Sequence, residues 1–111
     1  MTTAVRWRAW LQRNHATSTH VWLVVYKKAS SKRSLDYEST LDEATAFGWV
    51  DGLIRGATDE YYLQLWTPRR RGGNWTEANR ARARRLAAEG RLTPAGLAKL
   101  PDDLRREIEG G

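Results

Sequence analysis

Apolar positions along the chain fall into two alternating rhythms. Between residues 4 and 14, Trp7, Trp10 and Leu11 sit at i, i+3 and i+4, with Arg6, Arg8 and Arg13 elsewhere, which predicts an amphipathic helix. From His20 to Lys28 the residues become β-branched and aromatic. Val21, Leu23 and Val25 would line one side and Trp22, Val24 and Tyr26 the other, a pattern that predicts a central strand covered on both faces. The polar stretch Ala29 to Ser34 reads as a loop. Thr40 followed by Glu43 has the spacing of a capping box and opens a helix through Phe47, which Gly48 stops. Trp49 to Ala57 and Tyr61 to Thr67 are strands joined by the turn Thr58-Asp59-Glu60, an antiparallel hairpin that Pro68 closes.

Beyond the hairpin, Asn74 and Glu77 repeat the capping spacing and start a helix to about Glu89, with Gly90 as its stop. Thr93-Pro94 and Pro101-Asp102 each open a short helix. The predicted order is α-β-α-β-β-α-α-α, without repeats or a linker. One α+β domain over residues 1–111 follows, with a small antiparallel or mixed sheet of about three strands packed by N-terminal and C-terminal helices.

Composition narrows the chemistry. With 111 residues the chain has room for one core, and six Trp and four Tyr supply buried area that a 41% apolar share would otherwise leave thin. There is no Cys, which excludes disulfides, thiolate catalysis and thiolate metal sites together. His15 and His20 have no third ligand spaced with them, and no Walker loop, serine elbow or dinucleotide glycine pattern occurs. No metal or cofactor is expected. Met1 to Trp10 carries Arg6 and Arg8 and no apolar signal core, and no stretch approaches the roughly 20 apolar residues of a membrane span. A cytoplasmic protein without membrane insertion is expected.

The net charge of +6 is unevenly spread. Residues 1–68 hold eight Lys/Arg against seven Asp/Glu, residues 69–91 eight Arg against two Glu, and residues 92–111 three basic against four acidic side chains. The surplus therefore lies in residues 69–91, which predicts a local anion-attracting surface. Its centre is the loop Pro68-Arg69-Arg70-Arg71-Gly72-Gly73-Asn74, feeding a helix start whose unpaired N–H groups favour negative charge. On the helix, Asn79, Ala83, Leu86 and Ala87 share the face expected to be buried. Arg80 and Arg84 mark one flank, Arg82 and Arg85 the other. Asp51, between a Trp and a Gly in an inward-heading strand, needs a partner. Arg55, Arg69 or Arg70 would supply one, and the alternatives are a pocket-lining carboxylate or a general base. Trp49, Trp66 and Trp75 flank these groups as core or, where exposed, as stacking surfaces. The candidate ligand-binding residues are Asp51, Arg69, Arg70, Asn74, Trp75 and Asn79, with no catalytic set.

Several segments also form a series. They are Trp10-Leu11-x-x-Asn14-His15, Val21-Trp22-Leu23 with Lys27-Lys28, ATAFGWVDG from Ala44 to Gly52, Thr67-Pro68-Arg69-Arg70, Asn74-Trp75-Thr76-x-x-Asn79, and Gly90-Arg91-Leu92-Thr93-Pro94-Ala95-Gly96. In this order the chain resembles the bacterial YdeI/OmpD-associated family, the bacteriocin-protection proteins, over nearly its whole length. Gly73 and Thr76 stand where that family usually has Ser, and the further helical segment usual in the family does not follow Gly111. The resemblance implies a role in resistance to bacteriocins or cationic stress and association with outer-membrane porins. Taken with the arginine-rich surface, it leads to the expectation of a non-catalytic binding or stress-protection module with a small anion or an acidic protein as partner. Two alternatives stand beside it: nucleic-acid binding through residues 69–91, and a small enzyme with Asp51 as base.

Overall fold

A computed structural model of the chain describes residues 4–26, 36–56, 58–70 and 75–110. Its elements run α1 (Ala4–Asn14), β1 (Val21–Tyr26), α2 (Tyr37–Ala46), β2 (Trp49–Arg55), β3 (Tyr61–Pro68), α3 (Glu77–Ala88), α4 (Pro94–Ala98) and α5 (Asp102–Gly110). The class is α+β, in the predicted element order. The three strands pair antiparallel in the order β1-β3-β2, so the last strand in sequence takes the middle.

That topology corrects the reading of β1, which is an edge strand covered on one face only. Its inward residues lie opposite inward residues of β3, Val21 facing Trp66 and Leu23 facing Gln64. On this side Trp7 and Leu11 of α1, Leu41 and Ala44 of α2, and Phe47, Trp49, Trp66 and Leu86 make one core. The indoles interlock: Trp7 stacks on Trp10, while Trp7 meets Trp66 and Trp10 meets Trp49 edge to face. Trp7 Nε1 donates to the Thr40 carbonyl at 3.0 Å, which satisfies a donor that burial would otherwise strand. A smaller cluster of Ala83, Leu100 and Leu104 seats α5 on α3.

Both long-helix starts differ from the capping boxes predicted. α2 is capped by Asp36, whose carboxylate accepts from the Ser39 N–H at 3.1 Å. Thr40 lies one turn inside, and its hydroxyl donates back to the Asp36 carbonyl at 2.7 Å. Asp is at least as good a cap as Thr, and starting four residues earlier gains a full helical turn. Glu43 is thereby freed from any capping role. α3 is capped by Thr76, which accepts from the Asn79 N–H at 3.1 Å. The cap assigned to Asn74 thus belongs to Thr76; Asn74 itself, with Arg71, Gly72 and Gly73, lies outside the described residues. Thr76→Ala should lower stability by about 1 kcal/mol, the usual value of an N-cap hydroxyl, read as a shift of the urea midpoint.

At the other end of α2, Gly48 takes φ +77° and turns the chain into β2. Here α4 closes on α2. Thr93 donates to the Ala46 carbonyl both from its backbone N–H, at 3.0 Å, and from its hydroxyl, at 2.6 Å. The same hydroxyl caps α4 by accepting from the Gly96 N–H at 3.2 Å. Among the described residues no helix is long and apolar enough to cross a membrane.

Candidate functional site

Asp51 sits on the inner side of β2, opposite Trp66, just before a register shift that ends at Ile54. Its Oδ2 accepts from the Tyr37 hydroxyl at 3.2 Å and from Gln64 Nε2 at 3.3 Å. The carboxylate predicted to seek a cation therefore also holds two neutral donors, one from α2 and one from β3. Burial, and then the Asp51 charge, pushes the Tyr37 hydroxyl above the ordinary tyrosine range, so it stays a donor. Tyr37 and Gln64 were not among the residues singled out in the sequence. The signal for Gln64 was present, since it is the polar member of the inward series Tyr62, Gln64, Trp66. Tyr37 was hidden by the misplaced start of α2. Beside these groups lies a cavity of about 20 Å³, lined by Leu23, Tyr37, Thr40 and Gln64. It has the space of a single water molecule.

At the end of β3 the chain enters Arg69, whose N–H donates to the Gly48 carbonyl at 2.8 Å. This bond ties Arg69 to the turn between α2 and β2. The residue is only 6% exposed, and its guanidinium carbon lies over the Trp75 indole, 4.1 Å from the ring centroid. Burial lowers the proton affinity of the guanidinium, and the Asp51 carboxylate works in the opposite direction. Among the described residues the Trp75 Nε1 donor is buried without an acceptor. Arg70 is exposed, and Asn79 is half-buried in the first turn of α3, where its backbone N–H serves the cap. The structure thus brings Asp51, Arg69 and Trp75 together and leaves Arg70 at the rim.

The arginines of α3 behave differently from the predicted anion surface. The two flanks are real, but each is turned toward another helix. Arg80 donates to Asp103 at 2.5 Å and Arg84 to Glu107 at 2.7 Å, which ties α3 to α5. These bonds hold both carboxyls below their usual range. On the other flank Arg82 bonds to Asp42 and, at 2.5 Å, to Glu38, while Arg85 reaches Asp42 at 2.6 Å. Burial alone would lower the Arg82 proton affinity, yet its bonds to Glu38 and Asp42 outweigh it. Arg91 and Arg8 close on Glu43 from two sides, at 3.5 and 3.4 Å. The positive surplus of residues 69–91 is therefore largely answered by carboxylates of α2 and α5. Arg70 stands outside these pairs, exposed just beyond β3.

Fold and site together define a small α+β domain with an ion-paired helical layer and a buried arginine, Arg69, seated on an indole. The chain belongs to the family described as Domain of unknown function (DUF8412), whose profile matches residues 1–99. No curated protein and no solved structure matches the chain.

Proposed function

We propose that this protein is a non-catalytic binding module, of the stress- or bacteriocin-protection kind that its resemblance to YdeI/OmpD-associated proteins implies, recognising a small anion at Arg69 and Arg70. One observation carries the reading. A nearly buried guanidinium is held against Trp75 and beside Asp51, with a second, exposed guanidinium next in sequence. Burying a cation is costly, and the indole and the carboxylate offset that cost while fixing the direction of the fork. The acceptor-less Trp75 N–H is a donor that an entering oxyanion could use.

The two other readings fare worse on geometry. Nucleic-acid binding along α3 would need guanidinium groups that are already bonded to Glu38, Asp42, Asp103 and Glu107. An Asp51 base would need room for a substrate, where the adjacent cavity has the space of one water.

The test is a backbone and indole amide titration with inorganic phosphate, then with citrate. Shifts should concentrate at Arg69, Arg70 and the Trp75 indole. Arg70→Ala should weaken the fitted affinity about tenfold, the loss expected of one charge-assisted contact, without changing the unfolding midpoint. Shifts confined to α3, or an unchanged affinity in Arg70→Ala, would overturn the assignment.

A further inference from the structure

The outer face of the sheet carries a second, independent surface. Residues directly opposite one another across strands share a face, and Trp22 lies opposite Leu65, Val24 opposite Leu63, and Tyr26 opposite Tyr61. None of these six belongs to either core cluster. From β2, Arg55 lies opposite Leu63, and its guanidinium reaches across the central strand to 5.7 Å from the Trp22 ring centroid. The result is an apolar, partly aromatic platform crossed by an exposed cation. Tyr26 and Tyr61 meet edge to face at its end, 6.2 Å apart.

Electrostatics points to the occupant. The chain carries a net +6, but the α3 arginines, with Arg91, are bonded to carboxylates of α2, α5 and the end of α3. Arg55 forms no ion pair among the described residues and belongs to the uncompensated part. Planar rings beside a guanidinium that has no carboxylate partner among the described residues suit a ligand that has both flat faces and negative charge. An unpaired polynucleotide strand has both, because every base offers a face to stack and every linkage a phosphate. A second copy fits less well. Strand spacings make the platform roughly 17 Å by 15 Å, well short of the about 800 Å² per partner of a stable interface. A twofold pairing would also bury Arg55 against an identical face that offers it no carboxylate.

We propose that the outer sheet face, built on Trp22, Tyr61, Leu63, Leu65 and Arg55, is a stacking platform for single-stranded nucleic acid. A base lies on the Trp22 indole and the neighbouring phosphate pairs with Arg55. The platform is on the opposite side of the sheet from Asp51, and it stands whether or not the Arg69-Arg70 reading does.

The experiment is fluorescence anisotropy of a labelled twelve-nucleotide oligo-dT at low and moderate salt, with sedimentation of the protein alone. Binding should weaken as salt rises, since phosphate contacts release counterions. Arg55→Glu and Trp22→Leu should each weaken it about tenfold or more, as loss of a stacking or phosphate contact does. Arg84→Ala should leave it within about twofold, because Arg84 is bonded to Glu107 and is not on this face. Arg55 is exposed, so the Arg55→Glu variant retains a readout if Trp22→Leu fails to fold. No binding at low salt would overturn the proposal, as would wild-type affinity in Arg55→Glu. A dimer that Arg55→Glu dissolves would assign the face to a second copy instead.

Discussion

Replacing Asp42 with alanine is expected to destabilise the fold by about 3 kcal/mol. Asp42 Oδ1 accepts from both Arg82 and Arg85, and its Oδ2 lies 4.0 Å from Arg91. The side chains of Asp42 and Arg82 are 13% and 10% exposed, so both ions are mostly withdrawn from water. Removing one partner of a buried pair typically costs about 3–5 kcal/mol, because the remaining charge is stranded. Partial access of water places this case at the low end. Arg85→Ala, with a side chain 45% exposed, should cost under about 1 kcal/mol, as exposed pairs do. Urea unfolding of the two variants checks the contrast. Equal, small losses would mean that the network is screened by solvent and contributes little.

A comparable loss, about 3 kcal/mol, is expected for Gly96→Ala. A Cβ at Gly96 would stand 2.3 Å from the Ala46 carbonyl oxygen and 2.8 Å from its carbon. Backbone lies on both sides of that contact, so no side-chain rotation can relieve it. Either α4 must move off α2 or the two Thr93 bonds to Ala46 must break, and the Leu92 side chain, 3.0 Å away, blocks a sideways shift. For a domain of this size such a loss lowers the melting temperature by more than 10 °C, roughly. A calorimetric midpoint within about 2 °C of the parent chain would show that α4 is loosely seated.

Much of the architecture could be read from the sequence because its elements are strongly patterned. The Trp7, Trp10, Leu11 stripe gave α1 its bounds, and the turn at Thr58 gave the hairpin, where the Thr58 hydroxyl accepts from the Glu60 and Tyr61 amides. Helix starts were less legible, because Asp36, Thr40, Asn74 and Thr76 are all chemically able to cap. The choice was made by tertiary packing that places Thr40 and Glu43 in the interior. The two-sided apolar pattern of β1 misled for a physical reason: periodicity reports which residues are apolar, not whether a second layer exists to cover them. The charge surplus of residues 69–91 was counted correctly, but its partners come from α2 and α5, distant in sequence. Asp51, Arg69 and Trp75 could be named, yet only the fold reveals that Arg69 lies on Trp75.

The position of β3 between its two neighbours also governs when this chain can assemble. Val21 pairs in register with Trp66, so the first strand has no ladder to join until the hairpin that supplies one has been made. On a ribosome, the indoles of Trp7, Trp10 and Trp22 emerge well before Trp49 and Trp66, the surfaces that sequester two of them. Local pairing of β2 with β3 is entropically cheap, whereas recruiting β1 closes a long loop. The newborn N-terminal third is therefore the stretch with the longest wait for shelter, and the part a chaperone would be most useful to hold.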